Sequence, residues 1–155
     1  STGFPAHSGR SPQDIAARLI EKSVLASVKL SKKQFAALSE FLAIREPLSA
    51  APEHLKRFSQ TESIDLGTAL DAFTKRSDEI ASLGLDTSSI TYDAAFGRPL
   101  DYYTGLVFEI RAQENDLGAL AGGGRYDRLL TLLGADKPIP GVGFSLWLDR
   151  LEALA

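Results

Sequence analysis

Leu106-Val107-Phe108-Glu109-Ile110-Arg111 sets Leu106, Phe108 and Ile110 on one side and Val107, Glu109 and Arg111 on the other, a period of two that predicts a β-strand. Upstream, Ile90, Tyr92 and Ala94 form one side of another strand. Downstream, Leu117 to Ala121 reads as a third strand entering Gly122-Gly123-Gly124-Arg125-Tyr126-Asp127. Tyr126 to Leu133 then reads as a short helix closed by Gly134. After Pro138 and Pro140 an extended passage leads into a final helix from Leu146 to Leu154.

Before Gly84 the period is helical. Ser11-Pro12-Gln13-Asp14 supplies an N-cap serine, proline at the first helical position and an acid in the first turn, with Ile15, Ala16, Leu19, Ile20 and Val24 following on one face. Ser31-Lys32-Lys33-Gln34 has the capping-box pattern and opens a helix with Phe35, Leu38 and Leu42 inward, ended by Pro47. Pro52 to Phe58 forms a short third helix. The longest runs from Ile64 to Leu83, with Leu66, Leu70, Phe73 and Ile80 on one side and Gly84 placed to stop it in a left-handed conformation. Lys75, Arg76, Asp78 and Glu79 form its solvated face. Helices first and strands afterwards predict an α+β fold, a helical segment over 1–84 and an antiparallel sheet flanked by helices over 85–155.

The 155 residues are 44% hydrophobic and 24% charged, the balance of an ordinary globular domain. A net charge of -3 supplies no overall positive field, so nucleic acid is not the expected partner. There is no cysteine, which excludes disulfides, thiolate metal sites and a cysteine nucleophile and fits a cytoplasmic location. No run of about 18 apolar residues is present, and Ser1 to Gly9 lacks the pattern of a signal peptide, so no membrane span is expected. His7 and His54 have no acidic or histidine neighbours at ligand spacing, so no metal and no cofactor are expected. Met is absent even at position 1, from which the chain is expected to be a piece of a longer one.

Three glycine-rich segments carry arginines that can hold a carboxylate or phosphate in paired hydrogen bonds. Gly97-Arg98 through Asp101, Tyr102 and Tyr103 offers a cation, an acid and phenols, enough to frame an amino acid or nucleotide; alone it reads more readily as a turn with two packing tyrosines. Gly122, Gly123 and Gly124 ahead of Arg125 lack the Lys-Ser/Thr of a P-loop and the GxGxxG order of a dinucleotide site, and read either as an anion cradle or as a glycine-rich strand end. Gly141-Val142-Gly143-Phe144 leads to Asp149-Arg150-Leu151, by itself a strand-to-helix turn.

As an ordered set the segments say more. Leu100-Asp101-Tyr102-Tyr103-Thr104-Gly105-Leu106-Val107-Phe108-Glu109, then Gly122-Gly123-Gly124-Arg125-Tyr126-Asp127-Arg128-Leu129-Leu130, then Pro140-Gly141-Val142-Gly143-Phe144-Ser145 to Asp149-Arg150-Leu151 resemble the histidine-binding half of class II histidyl-tRNA synthetases across residues 88–154. The resemblance implies that Arg98 meets the carboxylate of histidine, that Tyr103 and Tyr126, with Tyr102 beside them, line an imidazole pocket, and that Gly122 to Gly124 form its floor next to Arg125. Arg150 matches the arginine of class II motif 3, which contacts ATP in active enzymes.

Two departures separate this chain from the synthetases. Trp147 stands where they ordinarily carry glycine, filling volume needed by an adenylate, and Pro99 stands where they usually carry glycine after the arginine. The stretch from Ser8-Gly9-Arg10-Ser11-Pro12 through Phe41-Leu42-Ala43-Ile44 resembles instead the non-catalytic paralogues, the regulatory subunits of ATP phosphoribosyltransferase. That family implies no catalytic residue in this chain, a short-form catalytic subunit as partner, self-association, and histidine as feedback effector in the first step of histidine biosynthesis. A histidyl-tRNA synthetase fragment is the rival reading, and a free-standing amino-acid-binding module a third.

Overall fold

The computed structural model describes residues 29–98, 102–112 and 117–154. The helix expected from Ser11 lies outside these residues, as do Pro99, Leu100 and Asp101. The chain divides into two compact units, Ser1–Ala95 and Phe96–Ala155. The division falls beyond Gly84 because the strand expected around Tyr92 pairs within the first unit.

In the first unit, α1 (Lys32–Leu42) begins with the capping box read from sequence. The Gln34 backbone N–H donates to Ser31 Oγ at 3.2 Å, and the Ser31 N–H donates to Gln34 Oε1 at 2.9 Å. The helix stops well before Pro47, which lies in β1 (Arg45–Pro47). This strand pairs antiparallel with β2 (Thr91–Asp93) in the register Arg45↔Asp93, Glu46↔Tyr92, Pro47↔Thr91. A two-stranded ribbon has only edge strands, so a proline without a donor is tolerated. Leu48 N–H donates to Ile90 O at 2.7 Å and extends the ladder.

Between the paired strands lie α2 (Ala51–Glu62) and α3 (Gly67–Ser82). Pro52 sits in the first turn of α2, where no intrahelical donor is needed. Ser63, with φ 55°, ends α2 in a left-handed conformation, and Gly84, with φ 80°, does the same just after α3. Ile44, Leu55 and Phe58 are the buried centre, and Phe41, Leu66, Leu70, Phe73, Tyr92 and Ala94 pack around them. The Phe41 and Phe58 rings lie 5.7 Å apart, and Phe73 meets Tyr92 edge-on at 5.1 Å. His54 lies with its Nδ1 2.8 Å from Glu46 Oε1, an acidic neighbour brought in by the fold that sequence spacing does not show.

The expectation for α1 was one stripe off. Phe35, Leu38 and Leu42 are 64%, 44% and 44% exposed, while Ala37 is buried and Phe41 reaches the core. The sequence offers apolar residues on two adjacent stripes of this helix, and the position of α2 decides which is covered.

The second unit is an antiparallel meander of β3 (Val107–Arg111), β4 (Ala119–Arg125) and β5 (Val142–Leu146), in that order. The sequence expected a strand ending at Ala121; β4 instead begins at Ala119 and runs on through all three glycines. Its central place buries Ala119 through Gly124. A bulge lies between Ile110 and Arg111. The helices that follow are shorter than expected, α4 over Leu129–Leu132 and α5 over Leu148–Glu152. Gly134, with φ 101°, follows α4 as anticipated. Leu106, Ile110, Val142, Phe144 and Leu146, on the sheet face away from Gly122, are exposed.

Two measurements check the first unit. Phe58→Ala empties the middle of a small core and is expected to cost about 3–5 kcal/mol, read as a lowered midpoint in urea unfolding. The Tyr92 phenol is pushed up from its ordinary 10.0, first by burial and then by the charges of Asp93 and Glu46. The unfolded chain therefore loses this proton at lower pH than the folded one, so stability is intact below pH 10 and falls as pH rises through the folded value. Alkaline unfolding curves of wild type and Tyr92→Phe should diverge only above that pH, with the variant less sensitive.

Candidate ligand pocket on the glycine face

The pleat of β4 divides its three glycines between two faces. Gly122 and Gly124 share one face with Val107, Glu109, Gly143 and Ser145, whereas Gly123 shares the other with Phe108 and Phe144. On the first face the missing side chains are a requirement of space. A Cβ on Gly122 would run into the Arg98 guanidinium, one on Gly124 would come within 2.9 Å of the Tyr103 ring, and one on Gly143 would strike the Tyr126 hydroxyl. Gly141 likewise leaves room for the Tyr126 ring, which a Cβ would approach to 2.7 Å. The glycines of two neighbouring strands, with Gly141 just before the second, thus let a cation and two phenols lie directly against the backbone.

Arg98 lies over Gly122 with its side chain 11% exposed, and Glu109, in the same row of the sheet, is 17% exposed. Arg98 Nη1 donates to Glu109 Oε1 at 2.9 Å. The other carboxylate oxygen accepts from Arg111 Nε at 3.1 Å and Nη2 at 2.8 Å. Among the described residues one carboxylate therefore faces two guanidiniums, leaving a positive excess. Arg98 Nε is buried with no acceptor among the described residues, a donor that an incoming anion could satisfy.

The tyrosines cluster at the Gly124–Gly143 end. Tyr102 and Tyr103 have ring centroids 4.7 Å apart, Tyr102 meets Tyr126 edge-on at 5.6 Å, and Tyr103 lies 6.4 Å from Tyr126. A hydrogen bond with Tyr103, burial and the neighbouring phenols raise the Tyr102 pKa, so it stays a neutral donor and acceptor near pH 7. The backbone fixes these rings: Thr104 N–H donates to Arg125 O at 2.9 Å, and Tyr126 N–H donates to Gly141 O at 2.8 Å.

At the other end, Trp147 pairs through its backbone N–H with Leu120 O at 2.9 Å and begins α5 from an extended conformation. Two guanidiniums attend its indole. The central carbon of Arg98 is 5.6 Å from the ring centroid and that of Arg150 is 5.2 Å, both in cation–π range. Arg150 Nη1 also donates to Ala119 O at 2.6 Å and lies against Gly118, whose φ of 75° and bare Cα leave that carbonyl accessible.

One face of the sheet thus brings together Arg98, Tyr102, Tyr103, Gly122, Gly124, Tyr126, Trp147 and Arg150, a candidate site drawn from all three sequence segments. Gly123 and Arg125 do not join them. Alternation along the strand sends both to the opposite face, where Arg125 packs on Gly105 and its Nε donates to Asp127 at 2.8 Å. Glu109 and Gly143, which the sequence motifs do not mark as site residues, lie on the same face. Their signal was the strand period, which puts Glu109 level with Gly122 and Gly143 level with Gly124. Among the described residues no three acidic or histidine side chains come together to hold a metal, and no helix is long and apolar enough to cross a membrane.

Comparison with known proteins accords with this geometry. The family model described as histidyl-tRNA synthetase matches residues 14–151. The chain is 60% identical over 152 residues to an ATP phosphoribosyltransferase regulatory subunit of Mesorhizobium japonicum, with 98% of this chain and 40% of that protein covered. It is 54% identical to the protein of the same name from Brucella canis, covering 99% of this chain and 41% of that one. The chain therefore spans about two-fifths of the length of these relatives. A Bacillus halodurans structure described as an ATP phosphoribosyltransferase regulatory subunit/histidyl-tRNA synthetase superposes with a TM-score of 0.65 at 30% identity, covering 91% of this chain and 36% of that one. Histidyl-tRNA synthetase from Nostoc sp. PCC 7120 shares the fold, with a TM-score of 0.61 at 24% identity over 94% of this chain and 37% of that one. The resemblance read from the three segments holds across nearly the whole sequence, and the chain belongs to the histidyl-tRNA synthetase family.

Proposed function

We propose that this chain is part of a regulatory subunit of ATP phosphoribosyltransferase, acting in the cytoplasm by binding rather than by making bonds. Its partner is a short-form catalytic subunit, with which it forms a hetero-oligomer, and histidine is the effector. Trp147 carries this reading. Adenylate formation needs ATP phosphates brought up to the carboxylate proposed for Arg98; an indole beside both Arg98 and Arg150 supports the reading that this volume is taken, since the synthetases ordinarily carry glycine there. Arg150 is further engaged with the Ala119 carbonyl. The names of the relatives from Mesorhizobium japonicum and Brucella canis support the same conclusion.

The rest of the glycine face suits a free amino acid. In this reading the histidine carboxylate binds Arg98, using the donor that lacks an acceptor, while the imidazole lies among Tyr102, Tyr103 and Tyr126. Feedback is then a coupling free energy: histidine shifts activity only so far as it binds one arrangement of the complex more tightly than another.

Two assays test this. The full-length protein mixed with a short-form catalytic subunit is expected to raise phosphoribosyl transfer to ATP, with histidine reversing the gain, and to give no histidine-driven pyrophosphate exchange by itself; robust exchange would establish a synthetase instead. In calorimetric titration, Arg98→Ala removes a charged hydrogen-bond donor and should weaken histidine binding about 10- to 100-fold, whereas Tyr126→Phe should cost roughly 5-fold. Unchanged affinity in both variants rules out the pocket.

A further inference from the structure

We infer that Trp147 is a positioning residue for the Arg98 guanidinium, giving the pocket its preference for ligands that carry a carboxylate; this rests on the histidine pocket proposed above. Three observations converge on it. The guanidinium is almost wholly buried on a backbone without side chains, so no Cβ at Gly122 supports it from below. Glu109 restrains it through a single bond at Nη1, which leaves rotation about that contact open, and Nε has no partner among the described residues. Among the described residues the indole supplies a second restraint, a π face 5.6 Å from the guanidinium carbon.

The indole is itself fixed by its own backbone bond to Leu120 and by Arg150, which is tied to the Ala119 carbonyl. Arg98 is thus held by Glu109 and Trp147, with the Nε donor left for a ligand. The side chain that keeps a nucleotide out is the same one that orients the arginine for an amino-acid carboxylate. Tyr103 and Tyr126 sit at the opposite, Gly124–Gly143 end of the face, so contacts to an imidazole are independent of the indole.

The test compares two ligands in the full-length protein: histidine, and histidinol, which keeps the imidazole and amine but has a hydroxymethyl group for the carboxylate. Trp147→Phe preserves a π face and should retain most of the wild-type preference for histidine. Trp147→Leu fills space without one, and should lower histidine affinity about 3- to 30-fold while changing histidinol affinity less than about 2-fold. Far-ultraviolet circular dichroism and retained histidinol binding verify that the variants fold. If Leu behaves like Phe, or if both ligands weaken together, Trp147 only packs and the inference is overturned. Should wild type bind histidine without preferring it over histidinol, the inference fails alone; should wild type bind neither, the pocket reading fails and takes it down too.

Discussion

Burying a guanidinium on the backbone of a β-sheet demands that the sheet have no side chain beneath it and that the charge be answered nearby. Gly122 meets the first demand and Glu109 the second. Desolvating Arg98 without a carboxylate would cost several kcal/mol, and with Glu109 shared between Arg98 and Arg111 the cost is only partly offset. The residue of positive charge is the basis of the site's chemistry. Under the proposed reading it is what a ligand carboxylate would answer, with aromatic rings on either flank of the glycine face.

The same constraint explains why Trp147 matters. Under the proposed reading, the position before the last helix is the one that would decide whether a second ligand has room beside Arg98. Here the indole lies within 5.6 Å of the Arg98 guanidinium carbon and 5.2 Å of that of Arg150, so one side chain bears on both arginines. The local geometry sustains this arrangement: Trp147 leaves β5 still in extended conformation, pairs with Leu120, and only then does α5 begin, returning Arg150 to the indole.

The first unit depends on a different device. Its helices α2 and α3 lie between two short strands far apart in sequence, and the pairing of Arg45–Pro47 with Thr91–Asp93 closes that long excursion over a core of Ile44, Leu55 and Phe58. Each strand is only three residues long, so the aromatic contacts of Phe41, Phe58, Phe73 and Tyr92 hold the closure more than the ladder does. Exposed apolar residues remain on α1 and on the far face of the β3–β5 sheet.

Local chemistry was legible in the sequence because neighbouring residues alone decide it: the Ser31 capping box, the left-handed stop at Gly84, the alternation of Leu106 to Arg111, and the order of segments that marks the family. Register and partner choice were not, since they depend on residues brought together from a distance. Only pairing with β3 and β5 reveals that β4 continues through the glycines, that Gly122 and Gly124 share the face that carries Arg98 while Gly123 and Arg125 turn away, and that Glu109 belongs beside Arg98. The sequence by itself determined which groups were available to hold an anion and an imidazole. The tertiary structure decided which of them share a face, because a strand's period of two assigns sides only after its neighbours have fixed where it lies.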